Sequence, residues 1–220
     1  MQQTKHLKKT IVAGIAGNLM EWYDFAIYGY MVPIIGSLFF PSDDAAATII
    51  ATFSAFAAGY FARPLGGIIF GHIGDHYGRK PVLNLSIMLM GLSTFAIGLL
   101  PTTTQIGVSA AVLLVILRIM QGISVGGEYT GSITFVLEHS SPHRRGFFTS
   151  WIGVGGSLGF LLGSSVGTMM NIFFTLEQLS GWAWRLPFLS GIIIAGIGIS
   201  SAVMSQSPRD LRISLYRMLL

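Results

Sequence analysis

The sequence predicts an all-α integral membrane protein, a bundle of six transmembrane helices with both termini on the cytoplasmic side. Three observations carry that prediction. Apolar side chains make up 52% of the 220 residues and charged ones 10%, against about 25% charged in an ordinary globular domain. The apolar residues fall in six long runs, each able to cross a hydrocarbon core of about 30 Å as a helix of about 20 residues. The basic residues then gather in the connections on one side. A mean hydropathy of +0.67 excludes a cytosolic enzyme, a nucleic-acid-binding domain and a disordered chain. With no cysteine in the sequence, disulfide frameworks and thiolate chemistry are excluded as well.

The predicted spans are Ile11–Phe40, Ala45–Phe70, Val82–Leu100, Ile106–Val136, Phe147–Phe174 and Leu186–Met204. Residues 1–10 form a short cytoplasmic N-terminus and residues 205–220 a cytoplasmic tail. Barrel strands would show short alternating segments, so these runs read as helices. Turn chemistry separates them: Pro41-Ser42-Asp43-Asp44, the stretch from Gly71 to Pro81, Pro101-Thr102-Thr103-Thr104, Ser140-Ser141-Pro142 and Ser180-Gly181. The first run is too long for the brief apolar core of a cleaved signal peptide, and it reads as a retained span.

Orientation follows from the positions of Lys and Arg. With the N-terminus inside, ten of them fall on the cytoplasmic side: Lys5, Lys8, Lys9, Arg79, Lys80, Arg144, Arg145, Arg209, Arg212 and Arg217. Arg185 alone falls outside, among the acidic Asp43, Asp44 and Glu177. This asymmetry is the positive-inside pattern. The net charge of +4 is therefore a sign of topology rather than of a nucleic-acid partner.

Five ionisable residues remain inside spans: Glu21 and Asp24, Arg63, then Arg118 and Glu128. Each costs several kcal/mol in hydrocarbon unless it faces a polar interior. At about 100° per residue, Asn18, Glu21, Asp24 and Tyr28 share one face of the first span. Arg118, Gln121, Ser124 and Glu128 share a face of the fourth, with Tyr129 beside it. These stripes predict a water-accessible cavity. They equally allow salt bridges that tie helices together. Three acids against two bases leave one carboxylate over, a candidate proton carrier among Glu21, Asp24 and Glu128.

The fifth span carries Gly156, Gly159, Gly163 and Gly167, spaced for close helix packing. A nucleotide loop is excluded there because no strand precedes it. His72 with His76 and His139 with His143 have helical ligand spacing but no third ligand nearby, so no metal is expected. Trp22, Trp151, Trp182 and Trp184 lie near span ends and read mostly as interface anchors, Trp22 beside Glu21 being the exception. No Ser–His or His–carboxylate set lies at one depth within the spans, which argues against an enzyme.

The segment Gly71-His72-Ile73-Gly74-Asp75-His76-Tyr77-Gly78-Arg79-Lys80 resembles the signature loop of the major facilitator superfamily, and Arg118-x-x-Gln121-Gly122 resembles that superfamily's fourth-span motif. More narrowly, Gly17-Asn18-x-Met20-Glu21-Trp22-Tyr23-Asp24-Phe25, Arg63-Pro64-Leu65-Gly66-Gly67 and Gln121-Gly122-x-Ser124-x-Gly126-Gly127-Glu128-Tyr129 are similar to the metabolite:proton symporter branch. That branch includes proline/betaine, 2-oxoglutarate, citrate and shikimate permeases of bacterial inner membranes.

The resemblance implies alternating access between two six-helix bundles, of which this chain holds the N-terminal one. It implies proton symport of a small organic solute, either a compatible solute such as proline or betaine or a carboxylate, with the proton as coupling ion and no other cofactor. Gly71, Asp75, Gly78, Arg79 and Lys80 become a conformational latch. The partners expected are the lipid bilayer, the solute, and a second bundle or a homodimer mate. The alternative is a truncated, transport-incompetent fragment or a half-transporter subunit. Arginines inside the spans suit a carboxylate, whereas Trp22, Tyr23 and Tyr28 suit a quaternary ammonium group.

Overall fold

The computed structural model describes residues 2–140, 142–193 and 196. Within its helices, the side chains of Arg79, Lys80, Glu128, Tyr129, Glu138 and His139 lie outside the description, as do the tail 205–220 and most of the sixth predicted span. Among the described residues every regular element is helical.

Helix α1 (Gln2–Phe39) runs through Pro33 without a break and stops ahead of Pro41, which disfavours helical geometry at the residue before it. Asp44 starts α2 (Ala45–Tyr77) as an N-cap, its carboxylate accepting from the Ala46 N–H at 2.8 Å. The helix ends at Gly78, whose φ of +89° is open to glycine and strained for other residues. That glycine turns the chain at once into α3 (Arg79–Leu99). A helical turn at Thr103–Ile106 leads to α4 (Ser109–His139), and a 3-10 turn at Pro142–Arg144 leads to α5 (Arg145–Phe173). Thr175 and Gln178 then form a reciprocal capping box. A π-helical turn at Leu179–Ala183 follows, and α6 begins as Arg185–Leu189.

Ala45–Tyr77, Ser109–Thr134 and Arg145–Phe173 are long and apolar enough to cross a membrane, and Asn84–Leu99 is a shorter apolar helix. Their outward faces are apolar, with Phe61 83% and Ile68 70% exposed. Polar and small residues point inward, the arrangement a lipid solvent favours because burial of Leu or Phe gains nothing there.

Two glycine seams bring the helices together. Along α5, Gly155, Gly159, Gly163 and Gly167 are buried against α1. A Cβ on Gly155 would lie 2.7 Å from the Ile15 carbonyl oxygen, and one on Gly163 would lie 2.7 Å from that of Tyr23. Gly156, in the same run, faces Trp22 and Asn18. The second seam joins α2 to α4: Gly122 lies against the Gly59 backbone, Gly126 against Arg63, and Gly66 against Ile123. Here the backbones themselves touch. Helix α3 meets the chain just past α6 at Gly191, where a Cβ would lie 2.8 Å from the Gly91 carbonyl oxygen.

At one end of the bundle an aromatic core gathers Tyr28, Phe39, Trp184 and Phe188. Trp184 corrects an expectation. It is fully buried and packs edge-on to Phe39 with centroids 5.5 Å apart, so it is no interface anchor. The π-helical turn folds the connection back over the bundle and carries the indole inside. Trp151 and Trp182 remain exposed.

Candidate functional site

Four of the five charged residues within the predicted spans form two ion pairs in the middle of the bundle. Arg118 Nη1 donates to Asp24 Oδ2 at 2.6 Å, with both residues buried. Arg63 Nη2 lies 2.9 Å from Glu21 Oε1. One turn of α1 separates the two carboxylates, so the pairs sit on the same helix face. Asp24 also accepts from Gln121 Nε2 at 3.1 Å and Thr94 Oγ1 at 3.2 Å. Three helices, α3, α4 and α1, thereby meet at one carboxylate. The acid left over by the count is Glu128, whose side chain is outside the description.

Aromatic faces complete both pairs. The Arg118 guanidinium lies 3.8 Å from the Tyr28 ring centroid, and that of Arg63 lies 4.0 Å from Tyr60 and 5.4 Å from Phe25. Such contacts stabilise a cation by about 2 kcal/mol or more when desolvated. Sequence reasoning singled out neither Tyr60 nor Phe25 as a partner of Arg63. Arg63 lies three positions after Tyr60, one helical turn, and that spacing was the available signal.

The remaining candidates divide. Tyr28 donates its hydroxyl to the Thr52 carbonyl at 2.9 Å and Asn18 its amide to the Ile152 carbonyl at 2.5 Å. Ser124 turns away from the pairs to bond the Ser86 carbonyl at 2.5 Å, tying α4 to α3. Tyr23 points its hydroxyl at Pro187 and Ser190. Gly71, Asp75 and Gly78 lie at the far end of α2, and Asp75 and Gly78 are exposed there. The His72 and His76 rings lie nearby, tilted by 43° with centroids 4.3 Å apart.

A cavity of about 870 Å³ opens beside the Glu21–Arg63 pair. Asn18, Glu21 and Trp22 of α1 line it, with Arg63 of α2, Gly126 of α4, and Gly156, Ser157 and Phe160 of α5. Trp22 and Phe160 form an aromatic wall, edge to face at 6.4 Å. One acid, one base and two π-faces thus border a single space. Its size suits a small organic molecule, for which sites of about 300–1,000 Å³ are usual.

Membrane-length helices packed around a charged cavity define the class: a polytopic helical membrane protein with a polar interior. The comparison with known families is specific. The chain belongs to the sugar (and other) transporter family, whose model matches residues 9–214, within the major facilitator superfamily. It is 42% identical over 193 residues to the glycine betaine/proline/ectoine/pipecolic acid transporter OusA of Dickeya dadantii (strain 3937), covering 88% of this chain and 38% of that protein. The same identity over the same length relates it to the proline/betaine transporter of Escherichia coli (strain K12), of which 39% is covered.

In fold it is similar to the proton:xylose symporter XylE bound to 6-bromo-6-deoxy-D-glucose, with a TM-score of 0.81 at 22% identity, over 96% of this chain and 47% of that one. The inward open form of the xylose transporter XylE from E. coli superposes with a TM-score of 0.78, over 94% and 50% of the two chains. The chain thus spans about two fifths of the curated relatives it matches. Those relatives are transporters and not enzymes.

Proposed function

We propose that this chain is the N-terminal bundle of a secondary transporter that carries a small zwitterionic solute, of the proline or betaine kind, across a bacterial inner membrane together with a proton. The observation that carries this reading is the lining of the large cavity. Arg63 presents a cation to a solute carboxylate, while Glu21, with the Trp22 and Phe160 rings, presents an anion and π-faces to its ammonium group. Of the three aromatic residues considered from sequence, Tyr28 already faces Arg118 and Tyr23 is bonded to α6, which leaves Trp22. The relatives named for glycine betaine and proline transport agree with a ligand bearing both charges.

The proposed mechanism is alternating access, in which a second bundle closes over the cavity. Glu21, Asp24 or Glu128 carries the proton. The segment from Gly71 to Lys80, which the structure makes the last turns of α2 and the start of α3 around Gly78, acts as a latch towards the second bundle. A half-transporter that needs a separate partner chain is the second reading. It is favoured by Trp22 and Phe160, which stay 38% and 51% exposed within this bundle alone.

The test is uptake of labelled glycine betaine, proline and a simple dicarboxylate into vesicles under an inward proton gradient, with the chain alone and with a relative's second bundle supplied. Zwitterion uptake that Arg63→Gln and Glu21→Gln each abolish supports the proposal. Preferential dicarboxylate uptake, insensitive to Glu21→Gln, refutes the zwitterion assignment.

A further inference from the structure

The glycines of α5 do not all face the same kind of neighbour. A Cβ on Gly155 would strike the Ile15 carbonyl oxygen and one on Gly159 the Leu19 backbone, so at those two positions the missing side chain lets helix backbones touch. Gly156 differs. The three atoms nearest to a Cβ there all belong to side chains, Trp22 Cδ1 and Nε1 at 2.9 Å and Asn18 Nδ2 at 3.1 Å. Gly156 also borders the large cavity, as Trp22 does.

The Trp22 ring is bracketed on two sides. Phe25, one turn further along α1, lies with its centroid 5.6 Å away, and Phe160, one turn beyond Gly156 on α5, meets it edge to face at 6.4 Å. A carbon atom keeps about 3.5–4.0 Å from its neighbours, so a methyl group at position 156 would displace something by about 1 Å. The backbones are held in contact by Gly155 and Gly159 on either side. Asn18 is buried and tied to the Ile152 carbonyl at 2.5 Å. Trp22 is partly exposed on the cavity. The indole therefore yields, and with Phe25 and Phe160 flanking it the ring turns into the cavity.

We infer that Gly156 is a positioning residue for this cavity: lacking a side chain, it seats the Trp22 ring back against α5 and so sets how bulky an ammonium group fits beside Glu21. The inference rests on the zwitterion reading above and adds a determinant of size to it. Spacing alone classed Gly156 with the packing glycines; its neighbours give it to the cavity wall. The quaternary ammonium of glycine betaine is bulkier than the secondary ammonium of proline at the point of contact. Lost room therefore falls on betaine first, and a misfit of one methyl or methylene group discriminates by about 10–200-fold.

Fluorine NMR of the chain in micelles, with its four tryptophans replaced by 5-fluorotryptophan, tests the seat of the ring without any solute. Loss of one signal in Trp22→Phe assigns Trp22. Gly156→Ala should move that signal and leave those of Trp151, Trp182 and Trp184 in place, whereas Gly153→Ala, with open space around its Cβ, should move none. In the uptake assay with the second bundle supplied, Gly156→Ala should raise the KM for glycine betaine about tenfold or more relative to that for proline, with kcat little changed. An unmoved Trp22 signal overturns the assignment. So does a Gly156→Ala chain that fails to fold or shifts all four signals, since either result marks a helix-packing glycine. A moved Trp22 with an unchanged betaine-to-proline KM ratio overturns the role in specificity. A parent chain that takes up neither solute refutes the transport reading and the specificity role with it, while the fluorine spectrum still decides where the ring sits.

Discussion

Neutralising the Asp24–Arg118 pair one side at a time, and then on both sides, measures what holds the middle of the bundle. Asp24 and Arg118 are 5% and 3% exposed and meet at 2.6 Å. With charge centres about 4 Å apart and an effective dielectric of about 20, their attraction is about 4 kcal/mol. Asp24→Asn leaves a buried guanidinium over the Tyr28 ring. Arg118→Gln leaves a buried carboxylate with the Thr94 and Gln121 donors. Each single change should cost about 3–5 kcal/mol, the usual penalty for orphaning one partner of a buried pair. The double variant removes both charges, so its loss should fall short of the sum by about 4 kcal/mol. Equilibrium unfolding in mixed micelles, followed by circular dichroism, gives all three values. Losses that add to within about 0.5 kcal/mol would refute the reasoning, because non-interacting sites behave that way.

Other positions give independent checks. Gly122→Ala places a methyl group against the Gly59 backbone and should destabilise the chain by about 3 kcal/mol in the same unfolding assay, whereas Gly153→Ala, with open space around its Cβ, should stay within about 1 kcal/mol of the parent. The natural sequence has no cysteine, so single cysteines report solvent access cleanly. Ser157→Cys on the large cavity should react rapidly with a membrane-impermeant thiosulfonate in nanodiscs, and Leu161→Cys on the exposed apolar face should resist it, its surroundings being lipid. Equal labelling of the two would remove the case for a wet cavity.

Part of this site could be read before any coordinates. The repetition at three or four residues from Asn18 to Tyr28 put Glu21 and Asp24 on one face, since helical period alone settles that. The excess of charge in otherwise apolar spans marked Arg63 and Arg118. Pairing was another matter. Periodicity along α1 cannot tell that Asp24 meets Arg118 while Glu21 meets Arg63; that choice depends on how α2 and α4 cross α1. Nor does it reveal that Ser124, in phase with Arg118 and Gln121, bonds α3 instead. Small angular offsets on a crowded helix decide which neighbour a short side chain reaches. The glycines of α5 stood out by their spacing, while Gly59 and Gly66 took on meaning once α4 was seen pressed against them.

By itself the sequence determined the solvent of this protein, the helical class, and the residues too polar to face lipid, because hydrophobicity and period are properties of the chain read locally. Tertiary structure decided the partners of each charge, buried Trp184 in the core, and opened one large cavity beside Glu21 and Arg63. Those outcomes arise from distances between segments far apart in the chain, 94 residues in the case of Asp24 and Arg118, and the packing of backbones at two glycine seams sets those distances.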